Sequence, residues 1–214
     1  MTKYKLAIFD MDGTLIKDRT IFVLAEKKGF TEELNRVIKS DMEFYKKSID
    51  IARSLKGMNI NELLEIVRNI PLQENVEEII RELKKRGIKT AIATDSYQFF
   101  AEDLKERLGI DYAFANNLII YNNIVTGDLE IHNKELKKDF ISNKIYSICK
   151  SCVLEQLCEN LNISENEAIA VGDSKVDIGM IKRAGLGIAF NASEEVQKHA
   201  DVSTEAMVKI LDYI

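Results

Sequence analysis

Two aspartates stand two residues apart in Asp10-Met11-Asp12-Gly13-Thr14-Leu15, directly after a short apolar stretch at 6–9. Ligands of open α/β sheets gather at the carboxyl ends of strands. If 6–9 is a strand, both carboxylates sit at such an end, beside loop backbone amides. Two carboxylates that close repel each other unless a cation neutralises them. A small set of hard oxygen ligands suits Mg²⁺, which keeps waters and shares the phosphate of a substrate. Gly13 permits a sharp turn and lets backbone N–H groups approach an anion. A carboxylate can attack phosphorus, and a second one can protonate the leaving oxygen and later activate water. Alone, the motif is also compatible with a plain acidic turn after a strand.

Three further signals point to the same chemistry. Val171-Gly172-Asp173-Ser174-Lys175-Val176-Asp177 follows the apolar run 168–171 and again puts acids at a strand end. Asp173 can complete a metal site. Asp177, one helical turn on, can orient a ligand or a lysine. The competing reading is a helix start with Asp173 or Ser174 near the N-cap. Thr94 ends the apolar run 89–93, where its hydroxyl can donate to a phosphate oxygen, although threonines there are often turn residues. Lys150 precedes Gly172 by about one helix and one loop, and an ammonium facing carboxylates and phosphate would stabilise developing charge. Lys144 is the alternative.

The elements that must hold these residues alternate between strand and helix, which predicts an α/β fold with a mainly parallel sheet. Strands are expected at 6–9, 89–93, 168–171 and 187–190, each short and apolar enough to be buried on both faces. Helices are expected at 76–86, 99–108 and 153–161, the second closed by Gly109 as a C-cap. From 19 to 70 there is helical periodicity and no strand: Ile21, Leu24 and Ala25 share a face, as do Leu63, Leu64 and Val67. That segment is expected to be a helical cap (19–70) inserted into a core made of 1–18 and 71–214. Leu118 to Thr126 reads as a β-hairpin turning on Asn122-Asn123, which tolerate positive φ. Residues 132–149 are polar and lysine-rich, and no element is assigned to them.

Composition narrows the field of functions. A net charge of −5 over 214 residues argues against broad nucleic-acid binding. There is no run of eighteen apolar residues and no signal-peptide pattern at the start, so a cytoplasmic protein without a membrane span is expected. Three cysteines, Cys149, Cys152 and Cys158, argue against a disulfide framework. Cys149 and Cys152 are read as two small apolar residues on one helix face rather than as a zinc or redox site.

Taken in order, D-x-D-G-T, Thr94, Lys150 and G-D-x-x-x-D resemble the haloacid dehalogenase superfamily of aspartate-nucleophile phosphatases, over nearly the whole chain. The Rossmann-like core and helical insert look most like its phosphoserine phosphatase branch. The resemblance implies that Asp10 is the nucleophile and a Mg²⁺ ligand. It implies that Asp12 is the acid/base and lends a backbone carbonyl to the metal. Thr94 and Lys150 would hold the phosphoryl group, Asp173 would be the third metal ligand, and Asp177 would support that set. The substrate-reading positions depart from the branch. Its usual glutamate is matched by Arg19, which reverses the charge, and Arg53 is a possible equivalent of the cap arginine. Its Ser-Gly-Gly is matched by Thr94-Asp95-Ser96, and its asparagine before the last aspartate by Val176. These differences imply a small phosphorylated metabolite other than phosphoserine, more anionic or larger. A protein phosphatase or phosphotransferase, or a regulatory module that has lost turnover, are the alternatives.

Overall fold

The computed structural model describes residues 3–214. The sequence forms a strand at its first apolar run, β1 (Leu6–Phe9), and all four residues are buried. β1 pairs in parallel with β2 (Lys89–Tyr97) on one side and with β5 (Ala168–Gly172) on the other. Beyond these lie β3 (Tyr112–Tyr121), β4 (Ile124–Glu130), β6 (Leu186–Phe190) and β7 (Val202–Thr204). The sheet order is β4-β3-β2-β1-β5-β6-β7, and only the β3/β4 pair is antiparallel.

Why β1 carries no polar residue follows from its place. Side chains alternate between the two faces of a strand, and both faces are covered. Ala7 and Phe9 pack with Ile79 and Leu83 of α5 (Val76–Lys85) and Phe100 of α6 (Gln98–Leu108). Leu6 and Ile8 pack with Val153, Leu154 and Leu157 of α7 (Lys150–Leu161) and Met180 of α8 (Ile178–Arg183). The remaining helix of the core, α9 (Glu194–Gln197), follows β6.

Between β1 and α5 the described chain is helical: α1 (Thr20–Lys28), α2 (Thr31–Lys39), α3 (Phe44–Arg53) and α4 (Ile60–Arg68). Gly29 closes α1 in the left-handed region, its N–H bonded to the Ala25 carbonyl. The β3–β4 hairpin turns at Asn122 and Asn123, with φ of 48° and 64°. It is also tied to the helical insert by Gly57 N–H to Val125 O, Val125 N–H to Met58 O and Ile60 N–H to Asn123 O. Among the described residues no helix is long and apolar enough to cross a membrane.

Three features differ from expectation. β2 runs past Thr94 to Tyr97, with its pairing to β3 shifting register between Ala93 and Tyr97; such irregularities re-aim side chains beside a site. α7 starts at Lys150 rather than near 153. The preceding run takes its order from Asn133, which bonds the Lys137 and Tyr146 carbonyls and the Lys137 N–H, and from Asp139, which accepts from Ile141, Ser142 and the Ser142 hydroxyl. Cys149 and Cys152 are joined in a disulfide, where two unlinked apolar side chains were expected, and Cys158 is free and buried. The first turn of α7 brings their Cα atoms to 5.2 Å, inside the range a disulfide spans.

Candidate active site

Because β2, β1 and β5 are adjacent and parallel, their carboxyl ends deliver Thr94, Asp10 and Asp173 to one place. Asp10 leaves β1 with its N–H bonded to the Val171 carbonyl of β5. Its Oδ1 accepts from the Met11 N–H at 2.7 Å and lies 2.7 Å from Lys150 Nζ. The same ammonium donates to Asp177 Oδ1 at 2.6 Å. Lys150 is 2% exposed, Asp10 3% and Asp177 0%, so one cation and two acids share a site closed to solvent. Burial pushes Asp10 well above the usual carboxylate range, repulsion by Asp177 adds to this, and Lys150 only partly offsets both. Burial works against the Lys150 charge, but Asp10 and Asp177 overcome it and raise its pKa above the ordinary lysine value.

Asp12 is held from the other side. The Thr20 hydroxyl donates to its Oδ1 at 2.6 Å, and the Thr20 N–H, at the start of α1, donates to its Oδ2 at 3.1 Å. Those bonds favour the ionised form, yet burial outweighs them and raises Asp12 from 3.8 to about 7. A carboxyl group with that pKa can both give and take a proton near neutrality. Between the two aspartates and β5 sits Gly13, at φ +87°, where an added Cβ would come within 2.7 Å of Asp173 Oδ2.

Asp173 accepts from the Thr14 hydroxyl at 3.0 Å and lies 3.5 Å from Arg19. Burial and the neighbouring Asp177 raise its pKa, with Arg19 and Thr14 pulling the other way. The Arg19 guanidinium loses hydration on burial, but Asp173, Asp95, Asp10 and Asp12 more than compensate and hold its charge. Asp177 Oδ2 accepts from the Asp173 and Ser174 N–H groups and the Ser174 hydroxyl. Carboxylate oxygens of Asp10, Asp173 and Asp177 lie within 4.8 Å of one another.

Thr94 is fully buried, its hydroxyl accepting from the Ser96 N–H at 3.2 Å. Asp95 is exposed and Ser96 buried. Both line a cavity of about 370 Å³ that opens in front of Asp12 and Arg19. Its other walls come from the helical insert, from Tyr146-Ser147 in the irregular run before α7, and from Ser174 to Val176.

Sequence reasoning reached Asp10, Asp12, Gly13, Arg19, Thr94, Asp95, Lys150, Asp173 and Asp177, and the fold brings them together. It missed Thr20, which orients Asp12. It assigned no role to Asn116, whose buried amide donates to the Asp95 carbonyl and the Ser147 hydroxyl while its carbonyl accepts the His132 N–H. Neither residue type nor spacing marks them; only the packed chain puts them there. Arg53 pairs with Asp50 on the surface of α3, and it is Ile51 that lines the cavity. Lys144 lies over the Phe44 ring, 4.8 Å from its centroid, so Lys150 alone of the two lysines meets Asp10.

Comparison with known proteins bears on this geometry. Residues 4–185 match the haloacid dehalogenase-like hydrolase pattern. The chain is 35% identical to a phosphoserine phosphatase of Methanocaldococcus jannaschii, over 99% of this chain and 98% of that one. It superposes on a substrate-bound phosphoserine phosphatase with a TM-score of 0.85 and 33% identity, covering both chains completely. A phospho-aspartyl intermediate analogue of phosphoserine phosphatase gives a TM-score of 0.84 at the same identity and coverage.

Proposed function

The chain belongs to the haloacid dehalogenase-like hydrolases and is a phosphatase, and we propose that it works with Mg²⁺, using Asp10 as nucleophile and Asp12 as acid and base. The observation that carries this is the buried Lys150 ammonium on Asp10 Oδ1, with Asp12 held separately at about pKa 7.

The residues fit a divalent cation. Two of the three clustered carboxyl groups, Asp10 and Asp173, are raised by burial and by repulsion from Asp177, a cost that a hard cation would relieve. Asp10 and Asp173 would hold it, with the Asp12 backbone carbonyl. Asp177 has its oxygens filled by Lys150, Ser174 and the Asp173 N–H, so its part is to fix the turn that aims Asp173. When bound, Mg²⁺ would neutralise charge on the transferring phosphoryl group.

Both bonds to Asp10 fall on Oδ1, leaving Oδ2 for attack on phosphorus. As that O–P bond forms, the ester O–P bond breaks, and Asp12 passes its proton to the departing alkoxide. Lys150, Thr94 and backbone N–H groups near Gly13 offset charge on the phosphoryl oxygens. In the second half, Asp12 takes a proton from water as the water oxygen attacks the phospho-aspartate. Phosphate leaves and the Asp10 carboxylate is restored. Residues 19–70 act as a cap over the core formed by 1–18 and 71–214, excluding bulk water during transfer.

Phosphate release from a panel of esters, with and without Mg²⁺, tests the reading. Asp10→Asn should abolish turnover while circular dichroism stays unchanged, because an amide is no nucleophile. Full activity in that variant would refute the assignment.

A further inference from the structure

Phe22, Ile38 and Phe44 belong to three different helices of the insert and are 43%, 38% and 41% exposed. All three line the cavity that holds Asp12, and Ile51 lines it too. Apolar surface left open in a concavity beside reactive groups marks where the hydrocarbon part of a ligand sits. Its place in the reaction is set by continuity: Asp12 protonates the leaving oxygen, so the alcohol half of the ester must emerge into this cavity.

The polar groups around the cavity point the same way. A substrate carboxylate would find Arg19 held near Asp173 at 3.5 Å and Lys175 paired with Glu195 at 2.6 Å. Lys47 is spent on the Ile38 carbonyl at 2.7 Å and lies 5.4 Å from the Phe44 ring centroid. Where α3 faces inward it presents Ile51, while Arg53 is turned to Asp50. A substrate ammonium would meet the Arg19 guanidinium, and the two acids on the cavity wall, Asp12 and Asp95, already act on that guanidinium. A small zwitterion would therefore leave the apolar wall facing water and gain ion pairs only by displacing these existing contacts.

We propose, resting on the phosphatase reading above, that the substrate is a phosphate monoester of an apolar alcohol, aromatic or branched aliphatic, seated on Phe22, Ile38, Phe44 and Ile51. Arg19 then serves the phosphate side of the substrate rather than a charge on the alcohol.

Binding of hydrolysis-resistant phosphonates to the Mg²⁺-loaded wild-type protein tests this by calorimetry, without turnover. Methylphosphonate, benzylphosphonate and the isosteric phosphonate of phosphoserine share the same head and differ only in what enters the cavity. Benzylphosphonate should bind at least about 10-fold more tightly than methylphosphonate. Phe44→Ala should cut that advantage about 10-fold and leave methylphosphonate unchanged, with Ile51→Ala as a gentler second variant. Equal binding of benzyl and methyl compounds, undetectable binding of the benzyl compound, or tighter binding of the phosphoserine analogue would each overturn the proposal. So would variants that weaken all three ligands alike, since these side chains would then only close the cavity. Failure of the phosphatase reading is separate: it appears as no phosphate release from any ester, whatever the phosphonates do.

Discussion

Replacing Lys150 by methionine tests the electrostatic core of the site. The ammonium lies 2.7 Å from Asp10 and 2.6 Å from Asp177, and the three side chains are 0–5% exposed. Methionine keeps much of the volume and removes the charge, which leaves two buried carboxyl groups with no cation. Breaking a buried ion pair from one side costs roughly 3–5 kcal/mol. For a chain of this size that lowers the melting temperature by about 6–20 °C. The sign of the pH dependence follows from which partner titrates. Lys150 is held charged far above neutrality, so it stays ionised from pH 5 to 8. Asp10 is raised well above its ordinary value, so acidification neutralises it and removes the need for a partner. The loss should therefore be largest above neutrality and shrink as the pH falls. Urea denaturation of both proteins in chelator, at pH 7.5 and 5.5, measures it. A loss below about 1 kcal/mol at pH 7.5, against the roughly 3–5 expected, or one that grows on acidification, would refute the reasoning.

Further outcomes follow from the same geometry. Asp12→Asn should depress turnover of alkyl phosphates far more than of aryl phosphates with good leaving groups, and an equal loss on both would count against the proton role. In metal-free protein Asp12 moves from 3.8 to about 7 on folding, so between those values the native state holds the extra proton. Stability should fall as pH rises through that window, and Asp12→Asn should flatten the slope of denaturation midpoint against pH. Gly13→Ala puts a Cβ at φ +87° within 2.7 Å of Asp173. It should cost roughly 1–3 kcal/mol in backbone strain and weaken Mg²⁺ binding in a titration, because Asp173 must move. Reducing the Cys149–Cys152 bridge closes no long loop and should lower stability by at most about 2 kcal/mol, read as a shift in urea midpoint with dithiothreitol.

The order of elements and the reacting residues were legible in the sequence because both depend on local rules. A strand buried on both faces must be apolar throughout, which exposed 6–9 and 168–171. Carboxyl ends of such strands are where acids can meet a ligand, which exposed Asp10, Asp12 and Asp173. The Asn122-Asn123 turn declared itself through its tolerance of positive φ. Side chains that act across long sequence separations left no such mark. Thr20 matters because α1 begins against Asp12, and Asn116 because β3 runs beside the irregular end of β2. The choice of Lys150 over Lys144 turned on the path of the irregular run that leads into α7, and that of Ile51 over Arg53 on which way α3 faces once packed. Local sequence decides what an element is and which chemistry it can carry. Only the packed tertiary structure decides which surface of that element meets the cavity, because helix rotation and strand register are set by burial against residues far away in the chain.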